Sequence, residues 1–169
     1  MAISMYHGSV PIFVQLLTGM KTYLEKGEAA ATAGKWDTAA LLNWRLYPDM
    51  FTFERQVRQA CTHAIGAGRV AGVTLPTLPD SDSSVAEMQA RIDKTIDFLK
   101  GLTPAQLDGK EDSTVTIMAG GNERKFRAQV YLYHFAMLNF YFHITTAYNI
   151  LRSLGVQIGK RDFMGPMPS

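Results

Sequence analysis

The segment Tyr131–Leu151, YLYHFAMLNFYFHITTAYNIL, constrains this chain more than any other. It holds no proline, glycine or formally charged residue, while seven of its 21 residues are Phe or Tyr and two are His. A run of that length reads as a helix that is apolar or aromatic nearly all round. Such a helix is buried on most of its sides, so it needs other helices about it. Two explanations compete for the two imidazoles: a metal or substrate site inside a bundle, or a helix that is simply enclosed.

Helix geometry separates the two histidines. His134 and His143 are nine residues apart, and at ~100° per residue they point to opposite sides. They cannot ligate one ion. Asn139 and His143 are four apart and share a face with Leu132, Phe135, Thr146 and Ile150. The other side carries Tyr131, His134, Leu138, Tyr141 and Thr145. Four helices cannot cover both sides, so a homodimer that buries one aromatic face is expected. For His134 the expectation is a core or interface residue bonded to a carbonyl.

The rest of the chain supplies three further long helices. Phe13, Leu16, Leu17, Met20 and Leu24 give one apolar stripe, predicting a helix from about Ser4 to Ala33 in which Pro11 either kinks the first turns or marks the start. Asp37 is placed to cap a short helix over 38–43. A second long helix is expected from Pro48, in its first turn, to Gly72, which closes it in the left-handed conformation. It carries a polar stripe of Gln56, Gln59 and His63 that could face Asn139 and His143. After the loop VTLPTLPDSDSS, Ser84 and Glu87 match a capping box and open a third helix that stops at Gly101. In STVTIMAGGNERKFR the period changes to two around the turn AGGN, predicting a β-hairpin over about 114–127, inserted before the last helix. The Gly/Pro-rich tail from about residue 155 reads as extended. An all-α, up-and-down four-helix bundle in one domain, 1–169, with one small hairpin is the expected architecture.

Composition narrows the function. The chain has 169 residues, 47% of them hydrophobic and 19% charged, with a net charge of +2. Its Lys and Arg are scattered, so neither nucleic acid nor an anionic membrane is an expected partner. No stretch of 18 uncharged apolar residues predicts a membrane span. The N-terminal MAISMYHGSVPIF lacks a basic segment followed by an apolar one, so no signal peptide and a cytoplasmic location are expected. Cys61, the lone cysteine, reads as a buried structural thiol. The sequence has no P-loop, dinucleotide fingerprint, Cys-x-x-Cys or nucleophile elbow. The adjacent Glu111 and Asp112 read as solvated loop carboxylates.

The layout resembles the DinB/YfiT-like metalloenzyme superfamily. The segments MFTFERQVRQACTHA, YHFAMLNFYFHITTAYNILRSLGV and GKRDF are similar to one branch of it that is a domain of unknown function, with likeness from Tyr6 to Phe163. The resemblance implies a four-helix bundle, often dimeric, with three metal-binding histidines: one on the second helix and a His-x-x-x-His pair on the fourth. That pair corresponds here to Asn139 and His143. The second-helix ligand corresponds to Gln56 or Gln59, with His63 as the alternative. A zinc or nickel ion would therefore meet a degenerate Gln/Asn/His set, and carboxamide oxygens are weak ligands for such ions. Three readings follow: a degenerate site of unknown activity, a metal-dependent hydrolase or thiol transferase-like enzyme using His143, or a non-enzymatic dimer that binds a small molecule or serves as a stress accessory.

Overall fold

The computed structural model describes residues 4–167. The chain is mostly helical, with one two-stranded antiparallel sheet. Helix α1 runs Val10–Ala33 with Pro11 in its first turn, so Pro11 marks the start and the expected start at Ser4 is corrected. Residues before it are held by Asp108 instead: its carboxylate accepts from Ser4 Oγ at 2.9 Å and from the Tyr6 amide at 3.0 Å. Helix α2, Thr38–Asn43, is capped by Asp37, which accepts from the Ala39 amide at 3.0 Å.

The second long helix is shorter than its sequence period suggests. Helix α3 spans Phe53–Ala64 and α4 spans Ala67–Ala71. Pro48 lies in a bend rather than in the first turn, because Thr52 caps α3, its hydroxyl accepting from the Arg55 amide. Gly66 stands at the break. A Cβ there would sit 2.5 Å from Tyr131 Oη, so the backbone and that ring are in direct contact. Gly72 closes α4 with φ 72°, as its position predicts.

Helix α5, Val85–Lys100, begins where Ser84 accepts from the Glu87 amide. Glu87 does not return to the Ser84 amide as a capping box requires; it accepts from the Ser83 amide and hydroxyl, one residue earlier. The preceding loop is clamped from both sides. Arg91 and Asp82, both side chains 1% exposed, form a two-pronged ion pair at 2.6 and 3.0 Å, and Arg91 also donates to the Pro79 carbonyl at 2.7 Å. Arg58 of α3 donates to the Asp80 carbonyl.

After the short helix α6, Pro104–Leu107, the hairpin appears where the period-two pattern places it. Strand β1, Thr114–Ala119, pairs with β2, Asn122–Arg127, and Gly120 and Gly121 turn the chain with φ 61° and 77°. Val115 and Ile117 face inward.

The aromatic helix follows as three joined pieces: α7, Ala128–Val130, a π-helical stretch, Tyr131–Ala136, and α8, Met137–Ser153. The wider turns of the π stretch rotate the residues before Ala136 relative to an unbroken α-helix. Tyr131, expected on the far side, is instead buried against Gly66 and stacks on Phe135. Helix α8 packs on α3, α1 packs on α5, and α3 touches α5 between them. Phe13 of α1 meets Phe140 edge-to-face at 4.8 Å in the middle of the core.

The tail departs from the extended reading. Val156 and Ile158 are buried, and helix α9, Lys160–Met164, lies along α1. Close approach there depends on Gly19, where a Cβ would stand 2.7 Å from the Phe163 carbonyl oxygen. Lys26 pairs with Asp162 at 2.6 Å across the same contact. Among the described residues no helix is long and apolar enough to cross a membrane.

Candidate functional site

The bend before α3 and the middle of α8 together form the candidate site. The Phe53 amide donates to the Trp44 carbonyl at 2.7 Å, which folds residues 44–52 back and presents Phe51 beside the first turn of α3. One turn in, Gln56 is 1% exposed, and its Nε2 donates to the Phe51 carbonyl at 3.2 Å. That bond fixes the orientation of the amide, leaving Oε1 aimed at His143 Nδ1, 2.7 Å away. An amide oxygen only accepts, so Nδ1 carries the hydrogen and the free lone pair of His143 is on Nε2.

Three rings stand nearly parallel around this bond. Phe51 and His143 are 6.0 Å apart at 2°, and His143 and His63 are 5.5 Å apart at 9°. Phe142 and Phe135 meet His143 and His63 edge-on. The Arg55 guanidinium lies 3.6 Å from the centre of the Phe51 ring. Burial pushes His63 down to about 4, helped by its neighbour His143. Burial also pushes His143 down to about 4, with the positive charge of Arg55 adding to it. Both imidazoles are therefore neutral at pH 7. Beside His143 lies a cavity of about 310 Å³, lined by Asp49, Met50, Phe51, Gln56, Phe142 and His143.

Of the residues singled out in the sequence, Gln56, His63 and His143 come together. Asn139 does not join them: its Nδ2 donates to the Phe135 carbonyl at 2.8 Å, within its own helix. Gln59 is half-buried and makes no side-chain hydrogen bond among the described residues. His134 is exposed and bonds to no carbonyl among the described residues, which corrects the core half of its reading as a core or interface residue. His7 lies elsewhere, 2.9 Å from Ser4 Oγ. Cys61 is buried with its thiol pushed up to about 12, chiefly by burial, as a structural thiol should be. The sequence reading missed Phe51 and Asp49, because it placed them inside a helix; Thr52 followed by Phe53-Glu54 is the cap signal that would have found the bend.

The donors present do not fit the three-imidazole set that the resemblance implies. Only two imidazoles meet here, His63 and His143 with ring centres 5.5 Å apart. Gln56 Oε1 is already taken by His143. Among the described residues no three His, Cys, Asp or Glu side chains converge as metal ligands.

Comparison with known proteins agrees with this architecture. Residues 5–164 match the family described as "Domain of unknown function (DUF1993)". A crystal structure of a DinB family member protein from Shewanella denitrificans superposes with a TM-score of 0.85 at 36% identity, covering 97% of this chain and 93% of that one. Among curated proteins none matches. The chain therefore belongs to the DUF1993 family of domains of unknown function and has the fold of a DinB family protein.

Proposed function

We propose that the long helices form an up-and-down four-helix bundle whose metal position has become a metal-independent binding pocket, degenerate in Gln56, Asn139 and His143. The observation that carries this reading is the 2.7 Å bond between His143 Nδ1 and Gln56 Oε1. It spends one ligand-competent atom on another and holds the imidazole in a fixed tautomer without an ion. Such a pocket binds a small molecule and does no Lewis-acid chemistry. The competing reading, a metal-dependent hydrolase or thiol transferase-like enzyme using His143, has an ion taken by the free His143 Nε2 and needs further donors that Gln56 Oε1, already bonded, does not supply. Calorimetric titration with zinc and with nickel tests the two. The pocket reading expects no binding tighter than millimolar in the parent and tight binding once Gln56→His and Asn139→His restore three imidazoles. Micromolar binding by the parent that disappears in His143→Ala would overturn it.

A second observation favours a homodimer through the aromatic helix. His134, Leu138, Phe142 and Thr145 form an exposed stripe without a formal charge, with Leu138 58% and Phe142 55% exposed. A helix face that meets water ordinarily carries charges. A second copy covering this stripe explains its composition. Sedimentation at micromolar concentration should give a dimer that Leu138→Arg dissociates; a monomeric parent would refute it.

A further inference from the structure

The pocket beside His143 has a distinctive inventory. Its walls are the rings of Phe51 and Phe142 and the side chain of Met50, so its shape suits a flat apolar body. His143 Nε2 has no partner among the described residues and is not sealed from solvent. With the ring hydrogen held on Nδ1 by Gln56, Nε2 is an acceptor. Asp49, exposed and in no ion pair among the described residues, sets one negative charge at the pocket. Arg55, 3.6 Å from the centre of the Phe51 ring, sets one positive charge beside that negative one, so the surroundings favour neither sign of ligand charge. The volume, about 310 Å³, is at the small end for ligand cavities and holds one or two fused rings.

We infer that this pocket takes a small, uncharged, planar aromatic molecule carrying one O–H or N–H donor, which it donates to His143 Nε2. The inference rests on the metal-independent reading, since an ion would claim the same lone pair. The Gln56 bond then has a specific use. By holding the hydrogen on Nδ1 it keeps Nε2 an acceptor, so Gln56 is a positioning residue for recognition. A site built around a single acceptor discriminates sharply against an analogue that lacks the donor, because the acceptor is then left unpaired.

The test uses the fluorescent probe 2-naphthol beside 2-methoxynaphthalene, which lacks the donor, and 2-naphthoate, which adds a negative charge. The parent should bind 2-naphthol about tenfold tighter than the methyl ether, and 2-naphthoate more weakly than either. In His143→Phe, which keeps a ring but removes the acceptor, the preference for naphthol over its ether should vanish. Should that variant fold poorly, nitrogen-15 NMR of the parent supplies the readout: 2-naphthol should shift His143 Nε2, and the ether should not. Equal affinity for naphthol and its ether in the parent, strongest binding by naphthoate, or no binding by any of the three would overturn the inference. A zinc titration of the same samples separates the two failures. Zinc that displaces 2-naphthol overturns the metal-independent reading; no zinc uptake together with no naphthol preference overturns the ligand assignment alone.

Discussion

Replacing Gln56 by Leu removes both hydrogen bonds of the amide at nearly constant volume and isolates what that residue does. Gln56 is 1% exposed and His143 is 6% exposed, so water does not freely replace what is lost. The His143 Nδ1 hydrogen and the Phe51 carbonyl oxygen both lose their partner. A buried donor left unpaired costs about 1–3 kcal/mol, while the leucine side chain, apolar and well placed, offsets part of it. The net destabilisation expected is about 2 kcal/mol, which for a chain of this size lowers Tm by roughly 4–8 °C. Urea denaturation gives the free energy, and nitrogen-15 NMR gives the tautomer: Nδ1-protonated in the parent, mixed in Gln56→Leu. The Glu variant separates bonding from packing, because a carboxylate accepts the same hydrogen and favours the imidazolium. In Gln56→Glu the His143 pKa should rise from about 4. A Gln56→Leu protein within about 0.5 kcal/mol of the parent, with an unchanged tautomer, would refute the reasoning.

His63 and His143 both titrate near 4 when folded, below their ordinary value of 6.5, so the unfolded chain binds more protons between those limits. Stability should therefore fall on acidification from about pH 6.5 to about 4 and be indifferent to these groups above 6.5; urea midpoints at pH 7.5, 6 and 5 check this, and a flat profile contradicts it. Asp82→Asn leaves Arg91 buried without its counter-charge and should cost about 3–5 kcal/mol, with new protease sensitivity across residues 73–83. Gly19→Val should push α9 off α1 and destabilise by about 1–3 kcal/mol; limited proteolysis should then cut at Arg161, which stays protected if α9 tolerates the change.

Features written in local chemistry were legible in the sequence. The hairpin was announced by alternation around two glycines that supply the positive φ its turn needs. Asp37, Gly72 and Ser84 sit at helix ends for reasons that involve only their own neighbours. What stayed hidden depends on contacts between distant segments. Gly66, at the break in the second long helix, has no room for a side chain because Tyr131, some 65 residues later, lies against it. The π-helical stretch that turns Tyr131 inward leaves no period in the sequence. The tail has the composition of a loose end, yet α9 finds a seat on α1 because Gly19 lacks a side chain. The site follows the same division. Helical spacing puts Gln56 and His63 on one stripe and Asn139 and His143 on another, and that the two stripes could meet is all it offers; Asn139, on the right face, satisfies its amide within its own helix. Phe51 and Asp49 enter the pocket through a bend that only the Thr52 cap betrays.

The most direct test is the metal content of tagless protein after incubation with zinc, nickel or manganese and dialysis, measured by elemental analysis beside His143→Ala. A pocket organised by the Gln56–His143 bond should retain far less than one ion per chain, with no difference between parent and variant. Near-stoichiometric metal in the parent, lost in His143→Ala, would contradict it and make His143 a ligand.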